Sequence, residues 1–120
     1  MIAEQIFNLL PPQLQSITYI GDLPTNGSTC MALVEFGGPH GTYFAKDQLD
    51  TPYLKVVVRD ELYPRGYSLI KLCKDVLTSY ADAQTLGIVL VGDIMYFGRD
   101  EQRRNLFQLT YKIFSYVKKE

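Results

Sequence analysis

Hydrophobic and polar positions alternate with two different periods along the chain, and residues 51–80 carry both in immediate succession. Pro52 has no N–H for a ladder bond and belongs at the first residue of a strand. After it Leu54, Val56 and Val58 alternate with Tyr53, Lys55, Val57 and Arg59. That spacing predicts a strand with one apolar and one mixed face. Pro64 and Gly66 break the extended run. From Gly66 onward Leu69, Ile70, Leu72, Cys73, Val76, Leu77 and Tyr80 recur at steps of three and four, which predicts a half-buried helix. A strand and a helix that are each apolar on one side are stable when the helix lies on the sheet. Leu54, Val56 and Val58 are therefore expected to share a core with the Leu69, Leu72, Cys73 and Val76 stripe.

The flanking segments extend this pattern. Ile2, Ile6, Phe7, Leu9 and Leu10 stand at helical spacing, and Pro11-Pro12 ends the helix they predict. Residues 17–20 read as a brief extended piece, followed by a loop with Gly21, Asp22, Pro24, Asn26 and Gly27. Residues 29–36 are nearly all apolar, placing Cys30, Ala32, Val34 and Phe36 on one side of a strand and Met31, Leu33 and Glu35 on the other. Gly37-Gly38-Pro39-His40-Gly41 reads as a turn, and a hairpin with residues 42–45 or an irregular excursion leads back to Pro52. Residues 86–97 form a long extended run in which Gly92 predicts a bulge or bend. Across the polar turn at 98–102, Phe107, Leu109, Tyr111, Ile113 and Val117 alternate with Gln108, Thr110, Lys112, Phe114 and Tyr116, completing a hairpin.

The fold class expected is α+β, a mostly antiparallel sheet packed on one face by the central helix and a short N-terminal helix. With these registers Met31, Leu33, Tyr53, Val57, Phe114 and Tyr116 point away from the helices. That is a large apolar surface, of the kind concentrated at subunit interfaces. A register slip that turns some of them into the core, or cover by the N-terminal helix, is the competing expectation.

Composition narrows the functions. At 120 residues the chain is expected to be one domain, 1–120, able to bury a core of its own. It is 47% apolar and 21% charged, with no window near the roughly 18 apolar residues of a membrane helix, so a soluble protein is expected. Residues 1–10 lack the basic start of a secretory signal, which implies work in the compartment of synthesis or release by cell lysis. Cys30 and Cys73 lack CxxC spacing and read as buried thiols in a reducing compartment. A net charge of −1 without a basic block gives no electrostatic footprint for sequence-independent nucleic-acid binding.

Candidate chemistry is sparse. His40 is the only histidine, with Asp47, Asp50 and Cys30 merely near in sequence, and it reads as an exposed loop residue. Gly37, Gly38 and Gly41 follow a strand without opening a helix and no GKS/T or GxGxxG text is present, so the signal for a phosphate cradle is very weak. Asp100 and Glu101 sit among Arg99, Arg103 and Arg104 and read as a solvated charge cluster. No catalytic, cofactor-binding or metal-ligating set is expected.

The order of short signatures is more informative than any one of them. Gly21-Asp22-Leu23-Pro24 precedes a strand, and Glu35-Phe36-Gly37-Gly38-Pro39 closes one. Pro52-Tyr53-Leu54-Lys55-Val56-Val57-Val58-Arg59 follows, then Tyr67 opens a helix, and Gly98-Arg99-Asp100 precedes a long last strand. This series resembles the tail terminator, or tail completion, proteins of long-tailed bacteriophages, often catalogued as phage minor capsid proteins. The resemblance implies a virion protein assembled in the host cytoplasm as a ring, usually of six subunits. The ring would cap the head-proximal end of the tail tube, end its polymerisation and receive the head connector. Its partners would be further copies of itself, the tail tube protein and a head-completion or connector protein. No enzyme activity, cofactor, membrane or sequence-specific nucleic acid would be involved. Gly37 and Gly38 carry over as turn formers, Pro52 as strand starter, Arg59 and Tyr67 beside the strand-to-helix turn, and Gly98-Arg99-Asp100 as the hairpin tip. The rather aromatic last strand departs from the family pattern at the lining of any central channel.

A heterologous ring needs two different lateral patches on each subunit. Tyr53, Lys55, Val57 and Arg59, with Arg99, Asp100 and Arg103 near strand ends, are the residues expected to supply them. Two alternatives are a head-completion or neck adaptor and a small ligand-binding domain using His40.

Overall fold

The computed structural model describes residues 2–24, 27, 29–36, 53–82 and 87–113. In chain order the elements are α1 (Ile2–Leu9), α2 (Pro12–Gln15), β1 (Thr18–Ile20), β2 (Thr29–Phe36), β3 (Tyr53–Asp60), α3 (Tyr63–Asp82), β4 (Ile88–Leu90), β5 (Met95–Arg99) and β6 (Asn105–Ile113). The turn expected at 37–41, the returning strand at 42–45, Pro52, and Phe114 and Tyr116 lie outside the described residues, as does His40 with Asp47 and Asp50.

The architecture is α+β, as expected. Six strands form one sheet in the order β1-β2-β3-β6, with β4 and β5 both on the far side of β6. All pairings are antiparallel except that of β1 with β2. One parallel pair leaves the sheet mostly antiparallel, as expected. The extended run expected from residue 86 is split into β4 and β5, and Gly92 between them has φ +83°, a conformation that favours glycine.

The prolines act as starts as well as stops. Pro11 caps α2 in an extended conformation and Pro12 occupies its first turn, where a missing N–H costs nothing. Pro64 does the same in α3, which begins at Tyr63 and not after Gly66 as the sequence suggests. Gly66 is buried inside that helix. A Cβ there would stand 2.8 Å from Cε1 of Phe107 and 3.1 Å from Cβ of Asp60, so the glycine is what lets α3 approach the sheet.

Leu54, Val56 and Val58 are fully buried under α3, whose innermost line is Ile70, Cys73 and Leu77, with Leu69, Leu72 and Val76 partly buried beside it. Ala3, Ile6, Leu10 and Leu14 extend the same cluster over β2. Met31 pairs with Val58 and Leu33 with Val56, so both face the helices and are buried. The expectation that Met31 and Leu33 lie on the opposite face is wrong. Residues 29–36 are apolar at both parities, so their period alone does not specify which set turns inward. Tyr53 and Val57 do lie on the side away from the helices, because their neighbours Leu54, Val56 and Val58 are the buried set.

Candidate assembly surface

The rows of the sheet define the face that α1 and α3 leave open. Crossing from β2 through β3 to β6, they are Cys30, Arg59 and Leu106; Ala32, Val57 and Gln108; Val34, Lys55 and Thr110; and Phe36, Tyr53 and Lys112. Tyr53, Lys55 and Val57 are half-buried, and Phe36 is exposed. The rings of Phe36 and Tyr53 stack at 5.5 Å, and Nζ of Lys55 stands 6.0 Å from the Phe36 ring centre, at the outer limit of a cation–π contact. This end of the face is an amphipathic patch of two rings and a lysine.

At the other end, Arg59 is buried. Its Nη2 donates to the carbonyl oxygen of Gly27 at 3.3 Å, and Nη1 of Arg104 donates to the same oxygen at 2.9 Å. Arg59 therefore positions the loop before β2, a structural duty that the alternating pattern of β3 did not suggest. Arg104 Nε also donates to Oδ2 of Asp100 at 2.9 Å. The Asp100 carboxylate accepts the backbone N–H groups of Arg104 and Gln102 at Oδ1, both at 2.9 Å. Those two N–H groups, Arg104's first, and the Arg104 guanidinium hold the Asp100 carboxyl below its ordinary value of 3.8. Arg103 takes φ +65° in this turn, donating its N–H to the Asp100 carbonyl at 2.9 Å. The turn that reads as a solvated charge cluster is thus built around an ordered Asp100 and a buried Arg104, with Arg99, Glu101 and Arg103 exposed.

Of the expected contact residues, Tyr53 and Lys55 gather at one end of the open face. Arg59 stands at the other end, with Val57 between, while Arg99 lies in the row of Asn105 and Asp60 and leads into the turn that carries Asp100 and the exposed Arg103. A buried polar hub underlies the second group on the helix side. Asp60, fully buried, accepts Nε of Arg65 at both oxygens, the N–H of Leu62 at 2.9 Å and Oγ1 of Thr29 at 3.1 Å. Asn105 Nδ2 donates to the carbonyls of Asp60 and Glu61, and the Tyr96 hydroxyl donates to Asn105 Oδ1 at 2.7 Å. These bonds fix the strand-to-helix turn and tie it to the last hairpin.

The feature that sequence reading missed is the outer margin. Val89, Val91, Met95, Tyr96 and Phe97, all on or beside β4 and β5, are between 45% and 53% exposed. The run of apolar residues at 86–97 was the available signal, but it predicts a strand without saying that the strand is an edge.

A concavity of about 380 Å³ lies between α3 and β5, lined by Tyr63, Tyr67, Tyr96 and Phe107, with the Lys74–Asp93 ion pair at 2.9 Å on its wall. No group of three or more metal-ligating side chains occurs among the described residues. Cys30 is buried beside Arg59, and burial raises its thiol pKa. In comparisons with known proteins, no family model matches the chain and no curated protein matches it.

Proposed function

We propose that this chain is a structural protein of a phage virion, a tail terminator. Copies of it form a ring on the head-proximal end of the tail tube, ending tube polymerisation and presenting the surface on which the head connector docks. Its partners are further copies of the chain, six to a ring as in the family it resembles, the tail tube protein, and a head-completion or connector protein. The reading requires no cofactor, covalent chemistry, membrane or sequence-specific nucleic acid.

The observation that supports the reading best is the two-sidedness of the sheet. One side is filled by the chain's own helices, and the other offers Phe36, Tyr53, Lys55 and Val57 partly open. A protein that ends a polymer needs a surface complementary to the growing end and another that rejects the next tube subunit. A helix-covered side and a mixed aromatic and cationic side meet that requirement. In this reading Tyr53, Lys55 and Val57 lie in or near the contacts with ring neighbours. Arg99, Asp100 and Arg103 supply the polar rim, while Arg59 acts through the loop it holds.

Electron microscopy of particles from a phage lacking this protein tests the function. Overlong tails without heads are the expected result. Headless tails of normal length contradict termination and point to a neck adaptor.

A further inference from the structure

We infer that neighbouring copies of this chain join edge to edge, the outer side of β5 in one copy pairing with the outer side of β1 in the next, so that the sheet runs on across the joint. The inference rests on the proposal that copies assemble side by side; it moves the contact between ring neighbours to the two margins of the sheet and leaves Tyr53, Lys55 and Val57, on the central strand, facing the other proteins of the particle.

An apolar strand at a sheet margin offers unpaired N–H and C=O groups beside exposed side chains, and proteins usually blunt such margins with prolines, lysines or short strands. β5 contains no proline and no lysine; a bulge between Tyr96 and Arg99 and the charge of Arg99 blunt its far end, leaving Met95 and Tyr96 as its regular part, and among the described residues no strand pairs with its outer side. The opposite margin is β1, also without a strand on its outer side among the described residues, and its Tyr19 and Ile20 are 48% and 42% exposed.

Four relations make these two margins complementary. The first is direction. β1 runs parallel to β2, β2 and β3 are antiparallel, and so on across the sheet, so β1 and β5 run in opposite senses. Two copies side by side in the same orientation bring β5 and β1 together as an antiparallel pair, the more stable ladder.

The second is height. One row of the sheet passes through Thr18, Met31, Val58, Phe107 and Tyr96, and the next through Tyr19, Ala32, Val57, Gln108 and Met95. The two margins share the same rows of the ladder, so Tyr19 and Met95 can be paired without sliding one copy along its strands.

The third is the pleat. Tyr19 and Met95 lie on the open face, and Thr18 and Tyr96 on the helix face. Placing Tyr19 opposite Met95 keeps both side chains on the open face.

The fourth is length. The ladder of β1 is extended by hydrogen bonds from Met31 N to the Ile17 carbonyl at 2.8 Å and from Gly21 N to the Leu33 carbonyl at 2.9 Å, giving it the reach of the five-residue β5. A symmetrical pairing of β5 with β5 would close a dimer and leave β1 bare, whereas the β5-to-β1 joint uses both margins.

Cysteine cross-linking of the full chain tests this. Cross-strand Cα atoms about 4.5–5.5 Å apart are within disulfide reach. Chains carrying Tyr19→Cys are mixed with chains carrying Met95→Cys and oxidised, and the mass of the unoxidised wild-type chain is followed by light scattering at millimolar concentration. The joint predicts an oligomer and a cross-linked dimer in the mixture that neither variant gives alone. Phe97→Lys, at an exposed position, should reduce the mass to that of one chain while leaving the melting curve in place. A chain that stays monomeric, an oligomer whose mixture does not cross-link, or Met95→Cys cross-linking to itself overturns the joint. Overlong tails in the deletion phage together with any of these results would leave termination standing and remove only the joint. Normal tails together with the predicted cross-link would do the reverse.

Discussion

Nε of Arg65 donates to both carboxylate oxygens of Asp60, at 2.8 and 3.0 Å, from a side chain that is half in solvent to one that is wholly buried. The same carboxylate holds the N–H of Leu62 and the hydroxyl of Thr29, so it is the node at which β2, β3 and the start of α3 meet. Replacing it removes the acceptor for all three donors. Asp60→Ala is expected to lower stability by about 1–3 kcal/mol for each poorly hydrated donor left without a partner. Arg65→Ala should cost clearly less, because water already reaches the guanidinium. Urea unfolding midpoints of the two variants check the ranking.

Gly66→Ala should destabilise the protein even though alanine is the better helix former by about 1 kcal/mol. The added methyl meets Phe107 Cε1 at 2.8 Å and backs onto Asp60, both fixed in the buried layer. Overpacking of this kind costs about 1–3 kcal/mol. A melting temperature at or above wild type would show that α3 does not press on β6 as described.

The Asp100 carboxyl titrates below its ordinary value of 3.8 in the folded protein, so its contribution to stability is present above that pH and is lost as pH falls through the lowered folded value. Asp100→Asn retains one acceptor oxygen for the turn N–H groups but not the charge facing Arg104. Thermal melts from pH 7 down to about pH 2 should show the variant less stable than wild type at neutral pH and the gap narrowing below about pH 4.

Both thiols should be inert in the folded state. Cys73 is fully enclosed, and burial pushes its pKa up to about 12, while burial also raises that of Cys30. A thiol-reactive disulfide reagent at pH 8 is expected to titrate neither cysteine in native protein and both after denaturation in guanidinium. Rapid reaction of Cys30 in native protein would mean that the open face beside Arg59 breathes more than its burial implies.

How far the sequence could be read followed from how clean each period was. β6 alternates strictly and β3 does so as far as Val58, so the buried sets Leu54, Val56 and Val58 and then Phe107, Leu109, Tyr111 and Ile113 are legible from the period. Residues 29–36 are apolar at both parities apart from Thr29 and Glu35, so a two-residue period does not say that Met31 and Leu33 are the set that turns inward. Pro64 looked like a breaker, yet at the second position of α3 it is a starter, a distinction that depends on knowing where the helix begins. Of the contact residues, Tyr53, Lys55 and Val57 were legible as the mixed face of a strand. The hold of Arg59 and Arg104 on the Gly27 carbonyl was not, since it joins residues 32 and 77 positions apart. The exposed margin at Met95 and Phe97 was likewise hidden, because strand order is a property of the whole sheet.

Everything functional depends on the helix-free face of the sheet meeting other proteins of the particle. Lys55→Glu with Val57→Glu changes that face at two half-buried positions outside the core cluster. The most direct measurement is the tail-length distribution of phage carrying this pair, counted in electron micrographs, with the purified variant's melting curve as a control for folding. The account predicts a folded variant and tails that run past their normal length without joining heads. A folded variant that yields tails of normal length on infectious particles would contradict it.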